Sequence, residues 1–485
     1  MVFKSIKDHI FVILASIACI MANVFRPDRT FDSDTLWHIR AGESFLASGT
    51  IPVTDPFSWT AAGAPWISHE WLFEYLIALA YKIGPLGISL LSAIFIIIGL
   101  YFYWKLVNVS SSSSITAAFF YFLTLIMISS AWTARPHITS YAFLAITLYL
   151  LLIGRKQPAK LWFLPAVFII WTNSHASVIL GLGIVGLEML LSYLPVFETG
   201  NIKNTPGNKK HLTGVFFASI TASLINPHGF NLWLFSFKLA TDPAYKNIYE
   251  WQAPETIAYK SMIFLVITLL IVLLAVRKNK ADLCLLIVAL LSFFGTLTSV
   301  RHFYYFVMVW MIVMVQLVGN LELSKKTISL FGGALALIFI INFSHTGWVS
   351  RDTRALAEKA GWPVKAVDWL EENKAERIFN RYNWGGYLIF RGIPVFIDGR
   401  ADLYHMAGME NDPFLDYVDL MNYKQPPEEI LQKYDVRYFL FPSGSWQISY
   451  LKKCGWKEVY SDEKASVLAR DDYMTIGEKN DKDKA

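Results

Sequence analysis

Apolar stretches of roughly 17–25 residues recur between residues 9 and 344, and no other property restricts the possible folds so severely. A backbone in hydrocarbon must satisfy its amide and carbonyl groups internally, so runs of this length are read as membrane helices. Composition agrees. The 485 residues are 54% hydrophobic and 17% charged, where a soluble chain carries about 25% charged residues. From about residue 350 onward the sequence returns to a soluble composition. Cys19, Cys284 and Cys454 form no CxxC or Cys/His zinc spacing and imply no disulfide framework.

With the N-terminus in the cytoplasm and an uncleaved first helix at about 9–25, further spans are expected at about 87–106, 114–131, 138–153, 160–172, 177–194, 212–226, 260–276, 281–299, 303–319 and 327–344. That makes about eleven crossings. Residues 70–83 are apolar but short, and are expected to form a helix lying along the outer surface. This threading places Lys105, Arg155–Lys156–Lys160, Lys203–Lys209–Lys210, Arg277–Lys278–Lys280 and Lys325–Lys326 in short inner loops, as the positive-inside rule requires. The net charge of +5 therefore reads as membrane orientation, and no nucleic-acid partner is expected.

The outer junctions read differently: RPH (Arg135–His137), NSH (Asn173–His175), NPHG (Asn226–Gly229), EWQAPE (Glu250–Glu255) and RH (Arg301–His302). One arginine or histidine at a helix end is as readily a snorkelling anchor as a ligand. Five polar junctions on one side, four of them carrying arginine or histidine, predict a polar, cationic cavity that opens outward.

Facing that side is an acidic stretch, Phe31 to Gly49, FDSDTLWHIRAGESFLASG. If residues 35–47 are helical, Asp34 and His38 share a face. One of Asp32, Ser33 and Asp34 is expected to cap the helix, which leaves at least one carboxylate for chemistry. An Asp-x-Asp pair can instead hold a divalent cation through oxygen ligands.

The stretch and its sequel resemble membrane glycosyltransferases of the GT-C fold, in particular the protein O-mannosyltransferases and the lipid A aminoarabinose transferases. Those proteins follow their first helix with an acidic residue opening a surface helix that ends in Ser-Gly. A proline, a Gly-x-Pro and a Lys-Pro-Pro-Leu stretch entering a second surface helix come next. Here Asp34 leads to Ser48–Gly49, followed by Pro52, Gly63–Ala64–Pro65 and SHEWLFEYL, with Leu72 and Tyr75 in register. The likeness covers about residues 9–106 in register and the remainder in topology. The family's acidic pair becomes Asp34–Thr35 with Asp32 upstream, and His69–Glu70 replaces Lys-Pro.

The resemblance implies a polytopic α-helical membrane protein, GT-C-like over residues 1–348 with a large extracytoplasmic loop at 26–86. It implies multi-pass insertion in a prokaryotic cytoplasmic (inner) membrane, with the active site outside. Nucleotide sugars are absent from that side, so a sugar must arrive on a lipid such as a polyprenyl phosphate. Single displacement at the anomeric carbon needs a base for the acceptor hydroxyl, the role expected of Asp34 with Asp32 beside it. It also needs positive charge at the departing phosphate, expected of Arg135, His137, His175, Arg301 and His302. His38, His69, Glu70, His228 and Arg400 are candidate substrate contacts. The acceptor may be read as lipid, glycan or protein, and no cofactor is required. The alternatives are a metal-dependent oligosaccharyltransferase holding Mg²⁺ or Mn²⁺ on Asp32 and Asp34, and a transporter or lipid-binding scaffold. Against the latter, there are no repeated halves and no charge near the middle of a span.

Residues 349–475 read as an extracytoplasmic α/β domain, with 476–485 a disordered tail. Helices are expected at about 362–374, 412–422 and 427–434, with strands at 377–380, 385–390, 394–397, 436–441, 456–460 and 465–470. IDGRADLYH, Ile397–His405, offers Asp398, Arg400 and Asp402 either to a ligand or to a salt-bridged turn of its own. WGGYL, Trp384–Leu388, marks a close backbone approach.

Overall fold

The structure is a computed structural model that describes residues 10–199, 202–253, 281–319, 324–346 and 349–471. The span expected at 260–276 and the tail at 476–485 lie outside the described residues. The chain forms two compact units. One comprises Met1–Arg29 and Ile88–Trp348; the other joins Thr30–Gly87 to Val349–Ala485. The first loop thus groups with the C-terminal segment, not with the helices that flank it in sequence.

The first unit is helical. Pro85–Ser110, Ser114–Ala131, His137–Gly154 and Val300–Val318 are each long and apolar enough to cross a membrane. Most other expected spans appear as shorter apolar helices, including Ile10–Val24, Leu164–Ser174, Val178–Leu191 and Leu283–Thr298. The Phe303–Val318 helix is apolar around its whole circumference, and residues Tyr305 to Val315 are buried save Trp310. A helix hydrophobic on all sides belongs at the centre of a bundle. Tyr103 ties it in, its hydroxyl donating to the Met308 carbonyl at 3.0 Å and lying 2.9 Å from Thr124 Oγ1. The Asn231–Thr241 helix was not among the expected elements; its 11 residues are too few to register as a span.

Arg155, expected in a short basic loop, is a hub. Its guanidinium donates to Glu188 at 2.8 Å and to Asp282 at 2.5 Å, both carboxylates being almost wholly buried. Asp282 also closes a small sheet, β1 (Phe197–Thr199), β2 (Ile202–Asn204) and β3 (Ala281–Asp282), in that order, with β1 antiparallel and β3 parallel to β2.

The second unit contains a four-stranded sheet of β4 (Ile378–Asn380), β5 (Tyr438–Pro442), β6 (Lys457–Ser461) and β7 (Ala465–Ala469), in the order β4-β5-β7-β6. β4 and β5 are parallel and the other pairings antiparallel. Helices fall near the expected places at Val364–Glu372, Pro413–Met421 and Pro427–Lys433. Two expected strands are corrected. Residues 385–390 form a helix, Gly385–Phe390, and of 394–397 only Val395 makes a bridge, to Ser58. Both are short, apolar, largely buried runs, whose periodicity does not separate helix from strand.

The Ser33–Ser48 helix is the spine of the site. Asp32 is its N-cap, with extended backbone and a carboxylate accepting from the Asp34 amide at 3.1 Å. Gly49 stops it at φ 69°, its N–H donating to the Phe45 carbonyl. Two glycine contacts fix its position. A Cβ at Gly42 would collide with the Glu74 carbonyl on the Trp71–Tyr81 helix, and one at Gly386 with the Ser33 carbonyl. Neither glycine has positive φ; what matters is the missing side chain, which lets backbones meet.

Candidate active site

Asp34 occupies the first turn of the Ser33–Ser48 helix, half-buried. Asp32 having taken the cap, the two aspartates of the motif differ in task. Asp34 Oδ1 accepts from the Trp37 indole N–H at 3.3 Å. Trp37 is 7% exposed, with its ring 3.6 Å from that of His38 and 6.2 Å from that of Trp66. Gly399 borders the same carboxylate: a Cβ there would overlap Asp34 Oδ1 and lie 3.2 Å from Trp37 Nε1.

Behind Asp34 is a chain of titratable groups. His38 is buried, with Nδ1 3.3 Å from Glu74 and Nε2 3.6 Å from Glu70. Ser68 donates to the other Glu74 oxygen at 2.6 Å. His69 lies 3.5 Å from Glu70 and is 16% exposed. Burial opposes its charged form, but Glu70 and Asp402 outweigh it and push the imidazole up to about 9. Burial raises Asp402 above the ordinary aspartate range, with His69 and Arg400 acting the other way.

Arg400 is enclosed by protein. Its guanidinium is 1% exposed and pairs with Asp398 and Asp55, both at 2.7 Å. Burial works against its charge, and the two aspartates hold it well above the ordinary arginine value. Tyr404 adds a hydroxyl to Asp398. The salt-bridged turn is the reading of IDGRADLYH that the geometry supports. His38, too, is enclosed by protein, between Glu70 and Glu74. His69 and Glu70 lie nearer the surface.

In the helical unit, several junction residues form one neighbourhood. Arg135 pairs with Glu250 at 3.0 Å, and the Arg301 guanidinium lies 4.1 Å over the Trp251 ring. Ser299 Oγ donates to the Glu250 carbonyl, and the Val300 N–H to that of Gln252. His137 Nε2 is 2.8 Å from the Ala131 carbonyl, so that nitrogen carries the proton and the imidazole acts as a strut. Its ring meets Tyr141, which in turn meets Tyr305. His175 Nδ1 accepts the Ser177 N–H at 3.2 Å and is 2.9 Å from Ser140 Oγ, which puts the proton of the neutral ring on Nε2.

Two junction residues are placed elsewhere. The His302 ring lies against Gly295 of the neighbouring helix. NPHG forms a turn after the Lys209–Ser223 helix, in which Asn226 Oδ1 accepts from the His228 amide at 2.9 Å and Gly229 has φ 52°. Trp37 and Gly399 were absent from the expected site. The tryptophan's i+3 spacing from Asp34 was a usable signal, whereas the glycine is 365 residues away in sequence.

No family model matches the sequence, and no curated protein is similar to it in sequence. Solved structures do match. The fold is similar to that of the oligosaccharyltransferase of the archaeon Archaeoglobus fulgidus. Its crystal structure tethered to an acceptor peptide with an NVT sequon matches at a TM-score of 0.58 and 11% identity, over 91% of this chain and 69% of that one. The same enzyme, AglB, with an inhibitory peptide and a dolichol-phosphate matches at 0.54 and 12% identity, over 90% and 70%. Its complex with Zn and sulfate matches at 0.54 and 13% identity, over 88% and 68%.

Proposed function

We propose that the protein is a membrane glycosyltransferase. It moves a sugar from a polyprenyl-phosphate donor to an acceptor hydroxyl outside the cytoplasmic membrane, with inversion and with Asp34 as base. The observation that carries this is the division of labour between the aspartates: Asp32 is committed to the helix cap, while Asp34 is half-buried and oriented by an indole N–H. Asp34 takes the acceptor proton as the oxygen attacks the anomeric carbon. The bond from that carbon to the phosphate oxygen breaks, and polyprenyl phosphate leaves as an anion that needs no general acid.

A second reading, metal-dependent transfer of an oligosaccharide, draws on the likeness to an oligosaccharyltransferase, one structure of which is a complex with Zn and sulfate. A cation bound on Asp32 and Asp34 would require further oxygen ligands. Among the described residues no group of three or more His, Cys, Asp or Glu side chains is arranged to hold a metal. The donor set does not fit on its own.

The test is Asp34→Asn, which keeps size and fold. Purified protein in vesicles is given a panel of undecaprenyl-phosphate hexoses with a cell-envelope glycolipid extract as acceptor, and release of undecaprenyl phosphate is followed. A positioned base contributes about 10²–10⁴-fold, so release falls by that order while donor binding persists. Near-normal release overturns the assignment. Activity abolished by EDTA and restored by Mn²⁺ or Mg²⁺ supports the second reading.

A further inference from the structure

We propose that Trp37 and Gly399 are positioning residues that hold the Asp34 carboxylate in one orientation, a role that rests on Asp34 being the base. Two constraints from distant parts of the chain meet at the same oxygen. Trp37, three residues along the helix, donates its indole N–H to Asp34 Oδ1. The indole itself has little freedom, with His38 against one side and Trp66 at its edge. His38 is in turn held by Glu70 and Glu74, and Trp66 lies 4.9 Å beneath the Arg400 guanidinium. The ring that orients Asp34 is therefore anchored to the buried ionic core of this unit.

Gly399 acts by having no side chain. It has no positive φ, so its backbone does not require glycine. Its neighbours Asp398 and Arg400 are buried and joined to each other and to Asp55, and its carbonyl accepts from the Tyr382 hydroxyl at 3.3 Å. A loop pinned on both sides cannot retreat. A methyl group added at Gly399 would displace what can move, which is the end of the Asp34 side chain. Misplacing a catalytic group by about 1 Å can cost about 10²-fold in rate, so Gly399→Ala is a steric probe of carboxylate position that leaves every titratable group in place.

The experiment compares Trp37→Phe, Gly399→Ala and Asp34→Asn with the parent protein in vesicles, using the same undecaprenyl-phosphate hexose panel. kcat, KM and the melting temperature are measured for each, and both positioning substitutions are repeated in the Asp34→Asn background. Trp37→Phe and Gly399→Ala are expected to lower kcat by about 10–100-fold with KM for the donor and melting temperature nearly unchanged. In the Asp34→Asn background neither should lower kcat further, because residues acting through one group are not additive. Should Trp37→Phe unfold the protein, Gly399→Ala still decides. Parental kcat in Gly399→Ala beside an inactive Asp34→Asn overturns the positioning role alone. Near-parental turnover in Asp34→Asn overturns the base assignment, and the positioning role with it.

Discussion

The two aspartates of FDSDT are two residues apart and do different things because one helix begins between them. Asp32 sits outside the first turn with extended backbone and spends its carboxylate on an amide; Asp34 sits inside it and does not cap. His69 carries a separate, pH-dependent load. Its imidazole titrates at about 9 against an ordinary 6.5. A raised folded-state value means stabilisation that is complete below about 6.5 and lost as pH rises through about 9. Asp402, also raised, gives a slope of the same sign that begins at the ordinary aspartate value, below the His69 window. Thermal unfolding of the parent should therefore become easier between pH 6.5 and 9, and His69→Gln should flatten that slope. Arg400 is the sharper stability test. Arg400→Met removes the cation and leaves Asp55 and Asp398 buried side by side with no countercharge, which should cost about 3–5 kcal/mol. A melting temperature within a degree or two of the parent would contradict this account of the turn.

At the scale of elements, glycines decide where helices meet. Gly42 is buried in the crossing between Ser33–Ser48 and Trp71–Tyr81, where an added methyl would meet the Glu74 carbonyl and Ala78 Cβ at 2.8 Å. Gly42→Ala must push backbones apart and should destabilise by about 1–3 kcal/mol or more. Gly183, within the Val178–Leu191 helix, has nothing within 4 Å of its Cβ position, so Gly183→Ala should be neutral or stabilise by about 0.5–1 kcal/mol. Melting curves of the two variants should move in opposite directions or differ clearly in size. Glycine positions also show what the sequence could disclose. Helices at 33–48 and 71–81 were legible because capping residues, a Ser-Gly stop and an apolar run bound them locally. The cap was narrowed to three residues, and the structure selects Asp32. Residues 385–390 misled because GGYLIF is a short buried run whose helical form depends on packing against Ser33 and the 397–398 backbone. The pairing of Arg155 was not legible either. Its partners Glu188 and Asp282 are 33 and 127 residues away, and positive-inside reasoning has no access to such pairing. The closeness of Gly399 to Asp34 was likewise beyond local pattern, for the two meet only through the tertiary fold.

At the scale of the whole molecule, the threading that separates basic loops from histidine-bearing junctions makes a test of orientation. Lys209 begins the Lys209–Ser223 helix, and His228 follows its end. Single cysteines placed next to each should be labelled by an impermeant thiol reagent from opposite sides of the membrane. Cys454 is exposed while Cys19 and Cys284 are buried, so Cys454 must be replaced first, and in the parent it should be labelled from the His228 side. Labelling of both inserted cysteines from one side would overturn the threading.

One of the two units is assembled from Thr30–Gly87 and Val349–Ala485, and that discontinuity sets an order of events during synthesis. A ribosome adding about 5–20 residues per second delivers the helix bearing Asp34 long before Gly386, Gly399 and Arg400 exist. The wait is roughly 20–70 s at those rates. Through that interval the Ser33–Ser48 helix has its cap, its glycine stop and its crossing with Trp71–Tyr81, but neither Arg400 to neutralise Asp55 nor Gly399 beside Asp34. The early segment is thus a half-built surface that holds its shape by local contacts alone, and the last quarter of the chain supplies the remaining contacts of this unit.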